Sequence, residues 1–118
     1  MPVERPFLQD SPAGKQLYVN ARPFLIRGAE LQNSSMTSTN FMREIWPKLA
    51  AGHVNTVLGG VPWDMIEPEE GKFSFEILDS AIKGARENGL YLILLWFGSF
   101  KNGQSSHAAI LCMSRSLF

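Results

Sequence analysis

The stretch Trp63-Asp64-Met65-Ile66-Glu67-Pro68-Glu69-Glu70-Gly71-Lys72-Phe73-Ser74-Phe75 separates two regular patterns. Before it stands a short apolar run, residues 54–58; after it, Ile77, Leu78, Ala81, Ile82 and Ala85 recur on one helical face. The stretch itself has neither period. Pro68 fixes φ, and Gly71 permits a sharp reversal, so it is predicted to be a long structured loop. Trp63 then sits just beyond the C-terminal end of a strand.

Working outward, Asn88-Gly89 closes the second helix as a C-terminal cap. Residues 90–97 are apolar in succession instead of alternating, which predicts a strand buried on both faces, as in a parallel sheet covered by helices. In the other direction, residues 54–58 form a strand ending at Gly59-Gly60. Phe41, Ile45 and Leu49, with Met42 and Trp46 beside them, predict an amphipathic helix capped by Ser38 or Thr39 and ended by Gly52. Pro47 inside it removes a hydrogen bond and should kink it. A polar loop, residues 32–39, precedes that helix, and a strand over residues 24–27 runs into Gly28-Ala29-Glu30. Residues 16–19 and 23–27 read as a hairpin around Asn20-Ala21-Arg22. Ala21 is a poor residue for positive φ, so a turn longer than two residues is expected. Residues 1–14, with Pro2, Pro6 and Pro12, read as a polar leader lying over something else.

The order is strand, helix, strand, helix, strand, with strand starts 30 and 36 residues apart. An eight-stranded βα barrel averages roughly 31 residues per unit. A doubly wound sheet has similar spacings, so the interval alone leaves both open.

Composition narrows the function. The 118 residues suit one small domain or part of a larger one. Eleven Lys and Arg balance eleven Asp and Glu, and without a basic excess nucleic acid is not the expected partner. One cysteine, Cys112, forms no internal disulfide, and His53 and His107 lie too far apart for a zinc pattern. The glycines make no phosphate-binding loop, so no cofactor or metal is expected. The N-terminus lacks the apolar core of a secretory signal, and the longest apolar run, residues 90–97, is too short for a membrane span. The expected location is the cytoplasm.

The loop, the following Leu78-Asp79 and the segment Gly89-Leu90-Tyr91-Leu92-Ile93-Leu94 together make the pattern W-x-x-x-E-P-x-x-G-x-F-x-F, L-D, G-L-x-x-I-L. This resembles the clan-A glycoside hydrolases, and most closely the β-galactosidase-type families 35 and 42. Gly28-Ala29-Glu30-Leu31-Gln32-Asn33-Ser34-Ser35 resembles the same group. The resemblance implies a partial (β/α)8 barrel: about three βα units behind a β-hairpin, over residues 15–106. Phe73 and Phe75 would then cover the barrel bottom or the next helix.

The resemblance also implies a metal-free retaining mechanism, with an acid/base at the end of the fourth strand and a nucleophile at the end of the seventh, about 5–5.5 Å apart. Three strands end before both, so no residue here takes a catalytic role and this chain alone is expected to be inactive. The implied partner is a small sugar, a terminal β-galactoside. Glu30, Asn33, Trp63, Glu67, Trp96 and Asn102 are the expected sugar-binding residues. An indole face suits the CH face of a sugar ring, which favours Trp63 and Trp96. Each has a plainer reading: Glu30 as a loop carboxylate capping an amide, Asn33 in an Asx turn, Glu67 as a brace of its own loop. Residues 107–118 depart from the pattern and read as an aberrant tail. The alternatives are a non-catalytic carbohydrate-binding α/β module and an inert gene fragment.

Overall fold

The computed structural model describes residues 4–97. The first part is a three-stranded antiparallel sheet of β1 (Phe7–Ser11), β2 (Gly14–Val19) and β3 (Arg22–Pro23), in that order. Much of the expected leader is therefore an edge strand. All five of its residues are exposed, so no alternation of buried side chains marked it. Phe7 stacks on Tyr18 with ring centroids 5.2 Å apart. Val19 pairs directly with Arg22, which corrects the expected longer turn. Asn20 and Ala21 both take positive φ, 51° and 57°, the turn form that matches strand twist. Ala21 bears the left-handed penalty of about 1–2 kcal/mol, which the pairing on either side offsets.

A second, parallel sheet follows, in the order β4 (Gly28–Glu30), β5 (Thr56–Pro62) and β6 (Tyr91–Phe97). Two boundaries differ from expectation. Residues 24–27 are not strand; β4 begins only at Gly28. Gly59 and Gly60 lie inside β5 instead of ending it, because their missing side chains are needed there. A Cβ on Gly59 would collide with Met36, and one on Gly60 would come within 2.8 Å of the Phe97 ring and 2.9 Å of the Asn33 carbonyl oxygen.

The crossovers supply the helices. A single 3-10 turn, Ser35–Thr37, interrupts the expected polar loop and buries Met36. Helix α1 (Thr39–Ala51) starts at Ser38, whose Oγ accepts from the Phe41 amide at 3.3 Å, and contains Pro47 as expected. A short helix, α2 (Trp63–Ile66), leaves β5 directly. Helix α3 (Glu76–Glu87) ends in a Schellman arrangement, in which the Leu90 amide donates to Ala85 and the Gly89 amide to Arg86. Gly89, at φ 68°, supplies the left-handed residue this needs.

Both long helices cover one face of the parallel sheet. Met42 and Trp46 of α1 and Ala81 and Ala85 of α3 pack with Val57 and Val61 of β5. Because side chains alternate along a strand, Thr56, Leu58, Gly60 and Pro62 lie on the opposite face, with their partners Tyr91, Ile93, Leu95 and Phe97. No helix covers that face among the described residues. Burial on both faces of β6 is accordingly not observed: Tyr91 is 42% exposed and Ile93 39%. Phe73 and Phe75 are exposed as well, so neither covers a helix or a floor within residues 4–97.

The antiparallel sheet sits at the N-terminal ends of the parallel strands. Phe24 meets Tyr91 edge-on at 5.0 Å, and Asn20 Nδ2 donates to the Tyr91 hydroxyl at 3.3 Å. An apolar cavity of about 380 Å³ lies there, lined by Leu17, Val19, Phe24, Ile26, Tyr91 and Ile93. Among the described residues, this leaves the C-terminal strand ends as the open end of the sheet.

Candidate functional site

In parallel α/β sheets, ligands bind at the C-terminal strand ends. Five of the six sequence-predicted residues, Glu30, Asn33, Trp63, Glu67 and Trp96, lie on or just beyond those ends. Asn102 and the tail lie outside the described residues. The structure divides the five into two groups.

Glu30 and Asn33 belong to the helix-free face. Glu30 is the exposed last residue of β4 and is in register with Leu58 and Ile93. The chain is pinned just after it, as the Leu31 amide donates to the Leu58 carbonyl at 2.9 Å. Asn33 is half-buried, and its backbone carbonyl lies over Gly60. Gly60 thus lets the β4–α1 loop and the Phe97 ring close over the strand from two sides. Phe97 is 8% exposed. In the sequence it reads only as a strand terminus, since the pairing of Leu95 with Gly60 that brings its ring near that glycine comes from the sheet register.

Trp63 and Trp96 form the second group. Trp96 pairs with Val61, on the face that carries the helices. It therefore does not share a side with Glu30. Trp63 begins α2, and the two indoles meet with centroids 5.9 Å apart and planes tilted by 42°, within the usual range for an aromatic pair.

Glu67 supports this pair. Its Oε2 accepts from Trp63 Nε1 at 2.6 Å and its Oε1 from the Gly71 amide at 2.7 Å. Gly71 has φ 78°, which aims that amide inward, and Glu69 and Lys72 bridge the loop beside it with an ion pair. The hydrogen bond from Gly71 and, next, that from Trp63 hold the Glu67 carboxyl below the usual carboxylate range, with desolvation opposing them. The loop-bracing reading of Glu67 is thus the one its contacts satisfy. Among the described residues no cluster of His, Cys, Asp or Glu could hold a metal ion, and no helix is long and apolar enough to cross a membrane.

Alternating strands and helices, with polar and aromatic groups gathered at the strand C-termini, define an α/β unit of the kind that carries small-molecule sites. Residues 33–96 match the family profile of the glycoside hydrolase 42 β-galactosidases, and the chain belongs to this family. It is 43% identical over 58 residues to a β-galactosidase of Clostridium perfringens, covering 45% of this chain and 8% of that protein. It is 30% identical over 104 residues to β-galactosidase 13 of Arabidopsis thaliana, covering 82% of this chain and 12% of that one. The chain thus spans about a tenth of the length of these relatives. Among solved structures, an exo-β-1,4-mannosidase from an Opitutaceae bacterium shares the fold at TM-score 0.60 and 18% identity, over 88% of this chain and 19% of that one.

Proposed function

We propose that the chain is the first three βα units of a (β/α)8 barrel in a longer retaining glycosidase that hydrolyses terminal β-galactosides. The observation that carries this is the family match over residues 33–96, to which the fold adds consecutive parallel strands with both helices on one side. That arrangement suits the start of a barrel and also one half of a doubly wound sheet, with α1 and α3 together on the same side of β5, and the family match favours the barrel. A sheet helical on one side and apolar on the other closes on itself to cover the bare face. Glu30 and Asn33 then lie at the mouth of the barrel, where they hydrogen-bond sugar hydroxyls. Trp63 and Trp96 stand at its rim, with Glu67 contributing through Trp63; Asn102, outside the described residues, is the remaining proposed sugar contact. The catalytic carboxylates belong to later strands, so the 118-residue chain alone does not turn over substrate.

The test compares two polypeptides on a nitrophenyl β-galactoside. The 118-residue chain should show no hydrolysis above background, and the protein extended through all eight strands should hydrolyse it with retention. Turnover by the short chain, or an extended protein inert toward β-galactosides, overturns the reading.

A further inference from the structure

We infer that Glu67 is a positioning residue for the Trp63–Trp96 pair: its carboxylate fastens the Trp63 indole to the apex of the loop and so sets the angle at which the two rings meet. The inference goes beyond the glycosidase reading and does not depend on it.

Three observations carry it. An indole has a single donor, Nε1–H, and Trp63 gives it to Glu67 at 2.6 Å. The other carboxylate oxygen is fixed by the Gly71 amide at 2.7 Å, so the carboxylate is held at both ends. The loop it is fixed to is itself tied down: the Ser74 amide donates to the Ile66 carbonyl at 2.8 Å, and the Lys72 amide to that of Glu69 at 2.8 Å. Ring orientation at the rim thus follows from backbone geometry four residues away in each direction. It also follows that Trp63 offers a ligand its ring face and edge, since its N–H is already engaged. The chemistry recognised there is an apolar surface, such as the CH face of a pyranose, and not a hydrogen-bond acceptor.

The test needs no ligand and no activity. Two indoles held in fixed contact give an exciton couplet in circular dichroism. In the 118-residue chain, Trp63→Phe and Trp96→Phe should each abolish it, identifying the pair against Trp46 in the core. Glu67→Ala should remove most of the couplet while leaving the helical signal in place. Glu67→Gln should retain a large part, because its carbonyl oxygen still accepts from the indole. An undiminished couplet in a folded Glu67→Ala variant overturns the inference, as does equal loss in the Gln and Ala variants. If Glu67→Ala does not fold, hydrogen exchange in the unaltered chain decides. The Trp63 indole N–H and the Gly71 amide should exchange about tenfold or more slowly than open groups, and exchange at open rates overturns it. Neither failure bears on hydrolysis by the longer protein, which keeps the two proposals separable.

Discussion

Asn55 and Arg27 are joined by a reciprocal pair of hydrogen bonds: the Arg27 amide donates to Asn55 Oδ1 at 2.8 Å, and the Asn55 amide donates to the Arg27 carbonyl at 3.0 Å. Asn55 Nδ2 also donates to the Leu25 carbonyl at 2.8 Å. The Asn55 side chain thus bonds the Arg27 amide and the Leu25 carbonyl, the Arg27 carbonyl accepts from the backbone amides of Asn55 and Thr56, and together these align the segment before β4 with β5.

Replacing that amide is the first prediction. Asn55→Ala removes a donor and an acceptor to backbone, each worth about 0.5–1.5 kcal/mol. The group is only half-buried, so the expected loss is about 1–2 kcal/mol. Asn55→Asp should cost more, because a carboxylate faces the Leu25 carbonyl where the amide donated. Urea unfolding followed by circular dichroism in dilute solution measures both, and an Asp variant as stable as the parent contradicts the assignment.

Gly60 gives a second prediction. An added methyl meets the Phe97 ring and the backbone of Asn33, and the backbone contact cannot be relieved by a rotamer change. Gly60→Ala should destabilise by about 1–3 kcal/mol, the usual range for overpacking. In the longer protein it should also displace the loop bearing Asn33, so on the proposed reading of Asn33 as a sugar contact a fall in galactoside affinity larger than the fall in stability is expected. Calorimetric unfolding and inhibitor binding separate the two effects.

The same residues explain what the sequence could convey. The apolar pattern places α1, α3 and β6 within a few residues, because each helix buries one apolar face and β6 is a continuous apolar run, although much of that run is exposed among the described residues. The antiparallel strand β1 stayed hidden, since a fully exposed strand has no burial pattern to read. Gly59 and Gly60 read as a strand end because glycine ordinarily marks one; their role here is space for Met36, Phe97 and Asn33, and such partners come from tertiary packing. In the candidate site, proximity of Trp63 and Trp96 follows from parallel register, which sequence spacing does not specify. The separation of Trp96 from Glu30 onto opposite faces is likewise a matter of parity in the pairing, where a shift of one residue reverses every side chain.

A third prediction concerns β6. Tyr91, Ile93, Leu94 and Trp96 are all substantially exposed, between 39% and 56%. Contiguous apolar exposure on the strand that is the sheet edge among the described residues favours association. The 118-residue chain should therefore self-associate as concentration rises, and Leu94→Lys should reduce this by placing a charge on the edge. Sedimentation velocity over a concentration series reads the outcome directly; a monomer throughout the series contradicts it.

The last prediction concerns acidity. The Glu67 carboxyl is held below the usual range in the folded loop by the Gly71 and Trp63 hydrogen bonds, in that order of size. Both donors favour the ionised form, so charged Glu67 adds stability to the loop beyond what the neutral group supplies. That contribution is complete above the unfolded carboxyl's pKa and disappears as pH falls through the lower folded value. Circular dichroism of the indole pair should hold steady through neutral pH and weaken toward the Glu67→Gln signal only at a pH below that of an ordinary glutamate, because a neutral carboxyl keeps one oxygen that accepts from the indole. Glu67→Gln has nothing to titrate at this position and should lack that transition, whereas Glu30→Gln should keep it. A midpoint at or above the ordinary glutamate value, or a transition unchanged in Glu67→Gln, would show that the two hydrogen bonds do not govern the Trp63 ring.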